Sequence, residues 1–367
     1  MKIDISQLRK GCILSTDILS VTNRPLALKK TVVNEQTIEA LRAFLVKIVD
    51  VEPLLQDGKL FQPQYILDDA KTQKKPGKEE TGILSNHTSF YQLYMEAVKG
   101  FKQLYIGWQS GATIDIGKVR KVILPLIEES IDQTGEIFKI YHYCKVEEYH
   151  FHHPITVSLL SSYLARKLNY NQGDINQIAI AGLLSDCGMA KVNPLILTKK
   201  IALTENDYKE VKQHPVHSYN MLKNIMSIKE GVKMGVLQHH ERIDGSGYPL
   251  GVRGEQLHPY GKIVALADTY QAMVSIRPYR NKQSPFKVLE QIMKDEFGKF
   301  DLTVLVELKK GIANFSSGTK VRLSNGETAE IVFIDEQYPT RPMVKLDQTA
   351  EIIALKDKNT IYIEELI

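Results

Sequence analysis

The sequence predicts a mainly α protein, in which a helical bundle lies between a small N-terminal α/β module and a small C-terminal antiparallel β unit. From about residue 88 to residue 315 the apolar residues follow helical spacing, with no strand pattern between the segments. Residues 1–55 combine short alternating runs with one amphipathic segment. Residues 317–367 alternate between apolar and polar positions and are divided by turn residues, which is typical of a small antiparallel sheet.

Composition limits the class of protein. The chain has 367 residues, 43% of them hydrophobic and 25% charged, which is ordinary for a globular protein of two or three domains. A net charge of +4 without a block of Lys and Arg argues against a nucleic-acid-binding protein, but is compatible with a small anionic ligand. Three scattered cysteines do not form a disulfide framework. No apolar run is long enough to span a membrane and the N-terminus lacks a signal-peptide core, so we expect a soluble cytoplasmic protein.

The N-terminal module is predicted over residues 1–55. The runs CILSTDILS and PLALKKTVV alternate like short strands, and IVDVEP is typical of a returning strand. The segment NEQTIEALRAFLVK has helical spacing, with Asn34 as its N-cap. Residues 56–86 are polar, charged and interrupted by Pro and Gly, which predicts a linker.

The helical part is predicted as a connector over residues 88–142, with long helices at 88–107 and 115–142, followed by a domain over residues 143–315. Within this domain, HPITVSLLSSYLARKL has an apolar stripe and is expected to place Pro154 at its first helical position. GDINQIAIAGLL is almost wholly apolar and is expected to be a central helix. Residues 317–367 then form the β unit, with a turn at Asn325-Gly326.

Imidazoles and carboxylates fall at predicted helix boundaries. His153 and His214 each precede a proline, which disfavours the helical conformation. His239 and His240 end a helix just before the glycine-rich loop ERIDGSGYP. Asp186 ends another helix, and Asp268 lies inside one. Such donors facing a bundle centre are typical of a two-metal site.

Any single histidine of this kind is more often a cap or a packed core residue. The adjacent pair His239 and His240, with the loop that follows, has no obvious packing purpose, and the whole set favours a site. We expect His87 on the linker surface and His258 in a loop-shaping role. Sequence alone assigns no role to His150, His152 and His217.

Three segments carry a resemblance to a known family. They are HHPITVSLL, AGLLSDCGMAKVNPLILTKKIALTENDYKEVKQHPVHSYNML and VLQHHERIDGSGYPLGVRGEQLHPYGKIVALADTYQAMVSIRPYR. In this order, over residues 150–315, they resemble the HD-GYP domain, a helical branch of the HD superfamily that hydrolyses the bacterial messenger cyclic di-GMP. The triplet Gly247-Tyr248-Pro249 matches the one that names the family.

The resemblance implies a di-metal site with iron or manganese. Its first metal corresponds to His153 and Asp268, its second to His214, His239 and His240, and Asp186 bridges the two. Asp186 and Asp268 are the implied catalytic carboxylates. The implied substrate-binding residues are Asp244, Gly245, Gly247, Tyr248, Pro249, Arg277 and Arg280.

The chain departs from the family pattern in the turn LLSDCGMAKV. Ser185 stands where the family has the histidine of its His-Asp pair, and Met189 stands where it has a lysine. A hydroxyl is a weaker metal ligand than an imidazole, so we expect the first metal to bind weakly or to be absent. Tyr149 stands where some members carry a glutamate for a third metal, so no third metal is expected.

Two functional hypotheses stay open from the sequence. The first is a metal-dependent cyclic di-GMP phosphodiesterase that yields pGpG or GMP, slowed by Ser185 and Met189. The second is an inactive module that binds cyclic di-GMP or a diguanylate cyclase. A phosphohydrolase for another nucleotide is a weaker third option, because the GYP triplet argues against it. The helices within 88–142 could pair in a homodimer, although no heptad pattern is long enough to predict a coiled coil.

Overall fold

The structure is a computed structural model. It describes residues 2–19, 25–43, 46, 48–52, 54–56, 61, 90–144, 146–197, 199, 202–276, 282–295, 298–358 and 360–367. The chain divides into two compact units, Met1–Ser85 and Asn86–Ile367. His87 and most of the predicted linker lie outside the described residues.

The N-terminal unit contains two short antiparallel pairs and one helix. Strand β1 (Lys2–Asp4) pairs with β4 (Ile48–Asp50), and β2 (Ile18–Leu19) pairs with β3 (Pro25–Ala27). Isolated bridges join residues 13 and 14 to residues 32 and 51, so the strands are shorter than the alternating runs predicted. Helix α1 (Glu35–Ala43) follows Asn34, whose side chain accepts a 2.8 Å hydrogen bond from the Thr37 amide, as a cap does.

The second unit is mainly helical, which confirms the predicted fold class. Its helices are α2 (Phe90–Gln109), α3 (Ile116–Glu129), α4 (Thr134–Ile137), α5 (Tyr149–Lys167), α6 (Gln172–Leu184), α7 (Pro194–Leu197), α8 (Glu205–Val211), α9 (His214–Leu222), α10 (Glu230–Gln238), α11 (Pro259–Val274), α12 (Pro285–Asp295) and α13 (Leu302–Ile312).

Helices α5 and α6 form the centre of this unit. Both are buried around most of their circumference, as the apolar sequence of α6 predicts. Helix α5 packs against α6 and α11, and α10 packs against α6 and α11 from another side. Helices α2 and α3 also pack on α5 and α6. The ends of α5, α6, α10 and α11 are therefore held at fixed positions by one core.

Two helix boundaries differ from the predictions. Pro154 is the sixth residue of α5 rather than its first, because the helix begins at Tyr149. The proline removes the hydrogen bond that the His150 carbonyl would accept, but His150 is exposed and water can replace that bond. The helix predicted over 115–142 ends at Glu129, and a turn, α4 and a 3₁₀ segment follow.

The C-terminal strands form one antiparallel sheet in the order β8-β7-β6-β5-β9, comprising β5 (Lys320–Leu323), β6 (Thr328–Phe333), β7 (Met343–Leu346), β8 (Ile352–Ala354) and β9 (Ile363–Leu366). Gly326, in the predicted turn, has φ of +87°. Arg341 ties this sheet to α12 through a two-pronged ion pair with Glu290, at 2.7 and 2.6 Å. The sheet and α2–α13 belong to one compact unit, and the domain limits predicted within that unit stay a proposal.

Among the described residues, no helix has the combination of length and apolar character that crossing a membrane requires.

Candidate metal centre

Six of the predicted site residues come together from five segments of the bundle. His153 projects from the first turns of α5, and Asp186 lies two residues after the end of α6. His214 begins α9, where Pro215 occupies an early helical position that needs no amide donor. The remaining three are His239 and His240, which follow α10, and Asp268, on α11.

These side chains fall into two groups that share Asp186. The His153 group consists of His153, Asp186 and Asp268, and the triple-histidine group consists of Asp186, His214, His239 and His240. Within each group, the candidate ligand atoms all lie within 4.8 Å of one another. Imidazole nitrogens and carboxylate oxygens at such spacing suit a divalent transition metal.

The His153 group is held by short contacts to one imidazole nitrogen. Nε2 of His153 lies 2.8 Å from Oδ1 of Asp268 and 3.5 Å from Oδ2 of Asp186. The two carboxylates thus face the same ring edge. Asp268 also reaches toward the other group, because its Oδ2 lies 3.6 Å from Nδ1 of His240.

In the triple-histidine group the donors converge on one oxygen of Asp186. Its Oδ1 lies 3.1 Å from Nε2 of His214 and 3.5 Å from Nε2 of His239. The two Nε2 atoms are themselves only 3.1 Å apart.

Backbone carbonyls fix the tautomers of these two rings. Nδ1 of His214 donates to the carbonyl of Val211 at 2.7 Å, and Nδ1 of His239 donates to that of Val236 at 2.7 Å. In the neutral rings both Nε2 atoms therefore present lone pairs, and two lone pairs cannot hydrogen-bond to each other. A cation between them resolves the conflict, so the residues present fit a bound metal.

Gln271 and Tyr149 orient the remaining imidazole. Oε1 of Gln271 contacts Nδ1 of His153, and the hydroxyl of Tyr149 lies 3.0 Å from the same atom. Nε2 of Gln271 donates to Oγ of Ser275 at 2.7 Å, which turns the amide oxygen toward His153. This arrangement leaves Nε2 of His153 facing the carboxylates. The sequence analysis assigned no role to Gln271, although it lies one helical turn after Asp268.

The acids of the centre stay ionised. Burial would raise the pKa of Asp186, but hydrogen bonds and charge from His214 and His239 hold that pKa well below its usual range. Burial likewise opposes ionisation of Asp268, and His153 nonetheless lowers its pKa. Burial, with the charge of His239, keeps the pKa of His240 well below its usual value, so this ring is neutral and able to ligate.

Ser185 brings no imidazole to the His153 group, and its hydroxyl is bonded to the backbone of its own helix. The side chain is buried and donates a 2.9 Å hydrogen bond to the carbonyl of Gly182 within the preceding turn of α6. Met189 lines a small cavity together with His153, Asp186 and Tyr149. This side of the centre therefore presents a thioether and a phenol where the family pattern has a lysine.

The glycine-rich loop folds back onto the histidine pair. A Cβ on Gly247 would lie 2.4 Å from Cα of Glu241 and 2.5 Å from the carbonyl oxygen of His240, so only glycine fits without movement. The ring of Tyr248 lies 4.7 Å from the ring of His240, centroid to centroid.

Glu241 anchors the far side of this loop. Its buried Oε1 accepts from the amides of Leu250 and Gly251, at 2.6 and 3.1 Å. Asp244 is exposed and accepts from the amide and hydroxyl of Ser246 inside the loop, and Gly245 has φ of +81°. Pro249 follows Tyr248 in the same segment. Arg277 and Arg280 lie outside the described residues.

The other histidines take separate positions. His152 is buried on α5, where Nδ1 contacts the hydroxyl of Tyr94 at 2.8 Å. His258 caps α11 by accepting from the Tyr260 amide, which agrees with its predicted loop-shaping role. His150 is exposed and His217 is half-buried, and neither belongs to the two groups.

Comparison with known proteins finds similarity over the part of the chain that contains this centre. A family model described as HD domain matches residues 139–304. A cyclic di-GMP phosphodiesterase of Pseudomonas aeruginosa is 28% identical over 64% of this chain and 57% of its own length. A cyclic di-GMP phosphodiesterase of Borreliella burgdorferi is 27% identical over 53% of this chain and 52% of its own.

A third relative differs in the substrate that its name gives. The 3'3'-cGAMP-specific phosphodiesterase 1 of Vibrio cholerae is 33% identical over 43% of this chain and 36% of its own length. The chain spans about half the length of the curated relatives it matches first. The HD domain match and the histidine and aspartate cluster indicate divalent metals. The matched residues 139–304 contain the candidate ligand positions and the GYP loop, and this part of the chain is similar to the HD-GYP branch of the HD domain family.

Proposed function

We propose that this chain hydrolyses a phosphodiester bond of cyclic di-GMP in bacterial second-messenger signalling, using two divalent metals, iron or manganese, and yielding pGpG or GMP. The observation that carries the proposal is the sharing of Asp186 between the two groups. One carboxylate with an oxygen toward each group is the arrangement that two adjacent metals require. The names of two relatives supply the substrate.

The proposed ligands are His153, Asp186 and Asp268 for one metal, and Asp186, His214, His239 and His240 for the other. Metals bound there would supply an activated water and neutralise charge on the phosphoryl oxygens. His214 and His239 are held by backbone carbonyls with Nε2 toward the centre. Asp186 and Asp268 stay ionised and provide the negative charge that balances the cations.

The residues of the GYP loop would form the wall against which the dinucleotide binds. The ring of Tyr248 lies against the ring of His240, and Glu241 fixes the loop beyond it through two backbone amides. A fixed wall orients the substrate relative to the ionised carboxylates, which lowers the entropic cost of reaching the transition state. Asp244, Gly245, Gly247, Pro249, Arg277 and Arg280 stay proposed members of the same substrate-binding region.

A second candidate function is binding without hydrolysis, in which the chain senses cyclic di-GMP or docks a diguanylate cyclase. Ser185 favours it, because its hydroxyl is engaged by the Gly182 carbonyl instead of facing the ligands. Met189 favours it as well, since a thioether cannot donate a hydrogen bond to a phosphate.

One experiment separates the two functions. Purified full-length protein is loaded with Fe(II) or Mn(II) under anaerobic conditions, and its metal content is measured. Cyclic di-GMP and 3'3'-cGAMP are then supplied in turn, and pGpG, GMP and the linear hetero-dinucleotide are quantified. Formation of pGpG by the loaded protein supports hydrolysis. Binding of cyclic di-GMP without product at any metal loading would leave the binding function, and neither binding nor turnover would refute both.

A further inference from the structure

The ammonium group of Lys212 lies between two tyrosine rings at the edge of the metal centre. Lys212 caps the C-terminus of α8, and its Nζ is 5.1 Å from the ring centroid of Tyr208 and 5.1 Å from that of Tyr248. The Tyr248 ring in turn lies 4.7 Å from the ring of His240. A cation is thus held one aromatic ring away from the triple-histidine group.

The partners of Lys212 differ from those of Lys199, which also lies beside helix α8. Lys199 forms an ion pair with Asp207 of α8. Among the residues that the structure describes, no carboxylate lies within ion-pair distance of Lys212. Aromatic faces attract a cation without accepting a strong hydrogen bond, so the N–H donors of Lys212 remain available to an anion.

Arg242 is another cation near Tyr248, but its guanidinium donates to the carbonyl of Glu241 and the hydroxyl of Thr269. The described ligand set contributes the ionised carboxylates of Asp186 and Asp268, and Met189 contributes no charge where it lines the centre. A phosphodiester carries a negative charge, and positively charged side chains can stabilise it in addition to the metals. Lys212 is half-buried, and its ammonium lies against Tyr248, where it could stabilise that charge.

Building on the proposed function, we propose that Lys212 is a substrate-binding residue that donates to a non-bridging phosphodiester oxygen of the cyclic dinucleotide. Tyr208 and Tyr248 hold the ammonium in place through their ring faces. Tyr208 is largely exposed, at 56%, so its ring forms the outer side of this cation site and Tyr248 the inner side. Tyr208 acts through Lys212 and is a positioning residue.

The test compares Lys212→Gln with Lys209→Gln, a matched removal of one exposed charge from the same helix. Cyclic di-GMP is titrated into each Mn(II)-loaded protein by calorimetry, and KM and kcat are measured where turnover occurs. A hydrogen bond to a charged group is worth about tenfold to a hundredfold in affinity. We expect Lys212→Gln to weaken binding and raise KM by that factor, with metal content unchanged, and Lys209→Gln to change binding less than about twofold.

Two further measurements test the cation site itself. Lys212→Arg keeps the charge and should retain most of the affinity, and added NaCl should weaken the wild type more than Lys212→Gln. Tyr208→Phe keeps the ring and should bind like the wild type, whereas Tyr208→Leu should raise KM by about threefold, given the strength of an exposed cation–π contact.

Each outcome decides between this inference and the proposed function. Equal binding by Lys212→Gln and Lys209→Gln would overturn the role of Lys212, and so would a fall in metal content in Lys212→Gln, since Lys212 would then support the centre rather than the substrate. A wild type that binds cyclic di-GMP without hydrolysing it would end the hydrolytic function, while the comparison of affinities would still decide the role of Lys212. A wild type that neither binds nor hydrolyses would overturn both.

Discussion

Gln271 contacts Nδ1 of His153 while Nε2 of the same ring lies 2.8 Å from Asp268, so one glutamine fixes which nitrogen faces the carboxylates. The amide of Gln271 is itself held by Ser275 at 2.7 Å. A chain of three side chains therefore sets the tautomer of the His153 group.

We expect Gln271→Leu to weaken metal binding at the His153 group by about tenfold to a hundredfold, which is typical for loss of a residue that orients a ligand. Competition with a chelator, followed by metal analysis, measures this affinity. Gln271→Glu preserves an acceptor for Nδ1 and should lose less. Unchanged affinity in Gln271→Leu would show that Tyr149 alone is enough to orient His153.

The paired substitution His239→Ala/His240→Ala should remove the metal of the triple-histidine group, because only Asp186 and His214 remain there. Metal content should fall, and hydrolysis of cyclic di-GMP should be abolished. His217→Ala is the control, since His217 belongs to neither group. Full metal content in the paired variant would contradict the proposed ligand assignment.

Ser185→His should raise metal content at the His153 group by adding an imidazole next to Asp186. Among the described residues, the buried Ser185 hydroxyl donates to the Gly182 carbonyl alone, so Ser185→Ala should lose that hydrogen bond and leave metal content unchanged. Metal stoichiometry and circular dichroism of both variants are the measurements. If the folded histidine variant gained no metal, the weakness of this group would have a cause other than the missing imidazole.

Gly247→Ala should displace the GYP loop, because the added Cβ would come within 2.5 Å of backbone atoms of Glu241 and the His240 carbonyl. A shift of this size in a substrate wall is expected to lower kcat/KM by about tenfold to a hundredfold. Gly135→Ala, where a Cβ would meet nothing within 4 Å, serves as the control. Wild-type kinetics in Gly247→Ala would argue against a role of this loop in binding substrate.

Arg341→Ala should destabilise the second unit by about 2–3 kcal/mol, because it leaves the partly buried Glu290 without its partner. The guanidinium also donates to the carbonyls of Leu355, Lys358 and Ile361, which would lose a donor. Arg322→Ala removes a more exposed ion pair with Glu365 and should cost less than about 1 kcal/mol. Urea unfolding of both variants gives the two free energies, and equal values would refute a structural role for Arg341.

The helical spacing of the sequence was enough to predict the fold class, since apolar stripes at 3.6-residue spacing specify which faces pack. It did not predict where α5 begins. The rule that a residue before proline avoids the helical conformation placed His153 at a helix start, yet the exposed first turn from Tyr149 tolerates the missing hydrogen bond. At this position the packing of α5 against α6 and α11 outweighed the backbone preference of the residue before proline.

The ligand positions could be proposed from sequence because His-Pro pairs, a histidine doublet and a glycine-rich loop are local patterns. The residues that support them depend on contacts between distant segments. Gln271 meets His153 across 118 positions, and a single glutamine on an apolar helix carries no signal of that contact. Lys212 was equally hidden, because only the fold brings Tyr248 next to α8.

The position of Asp186 has a consequence for how such a centre can change over time. A ligand that belongs to one group can be lost while the ligands of the other group stay unchanged. Substitution of Asp186 would unbalance charge in both groups at once. In descendants that bind the ligand without hydrolysing it, we therefore expect histidines that belong to one group to be lost first and the shared Asp186 to be lost last.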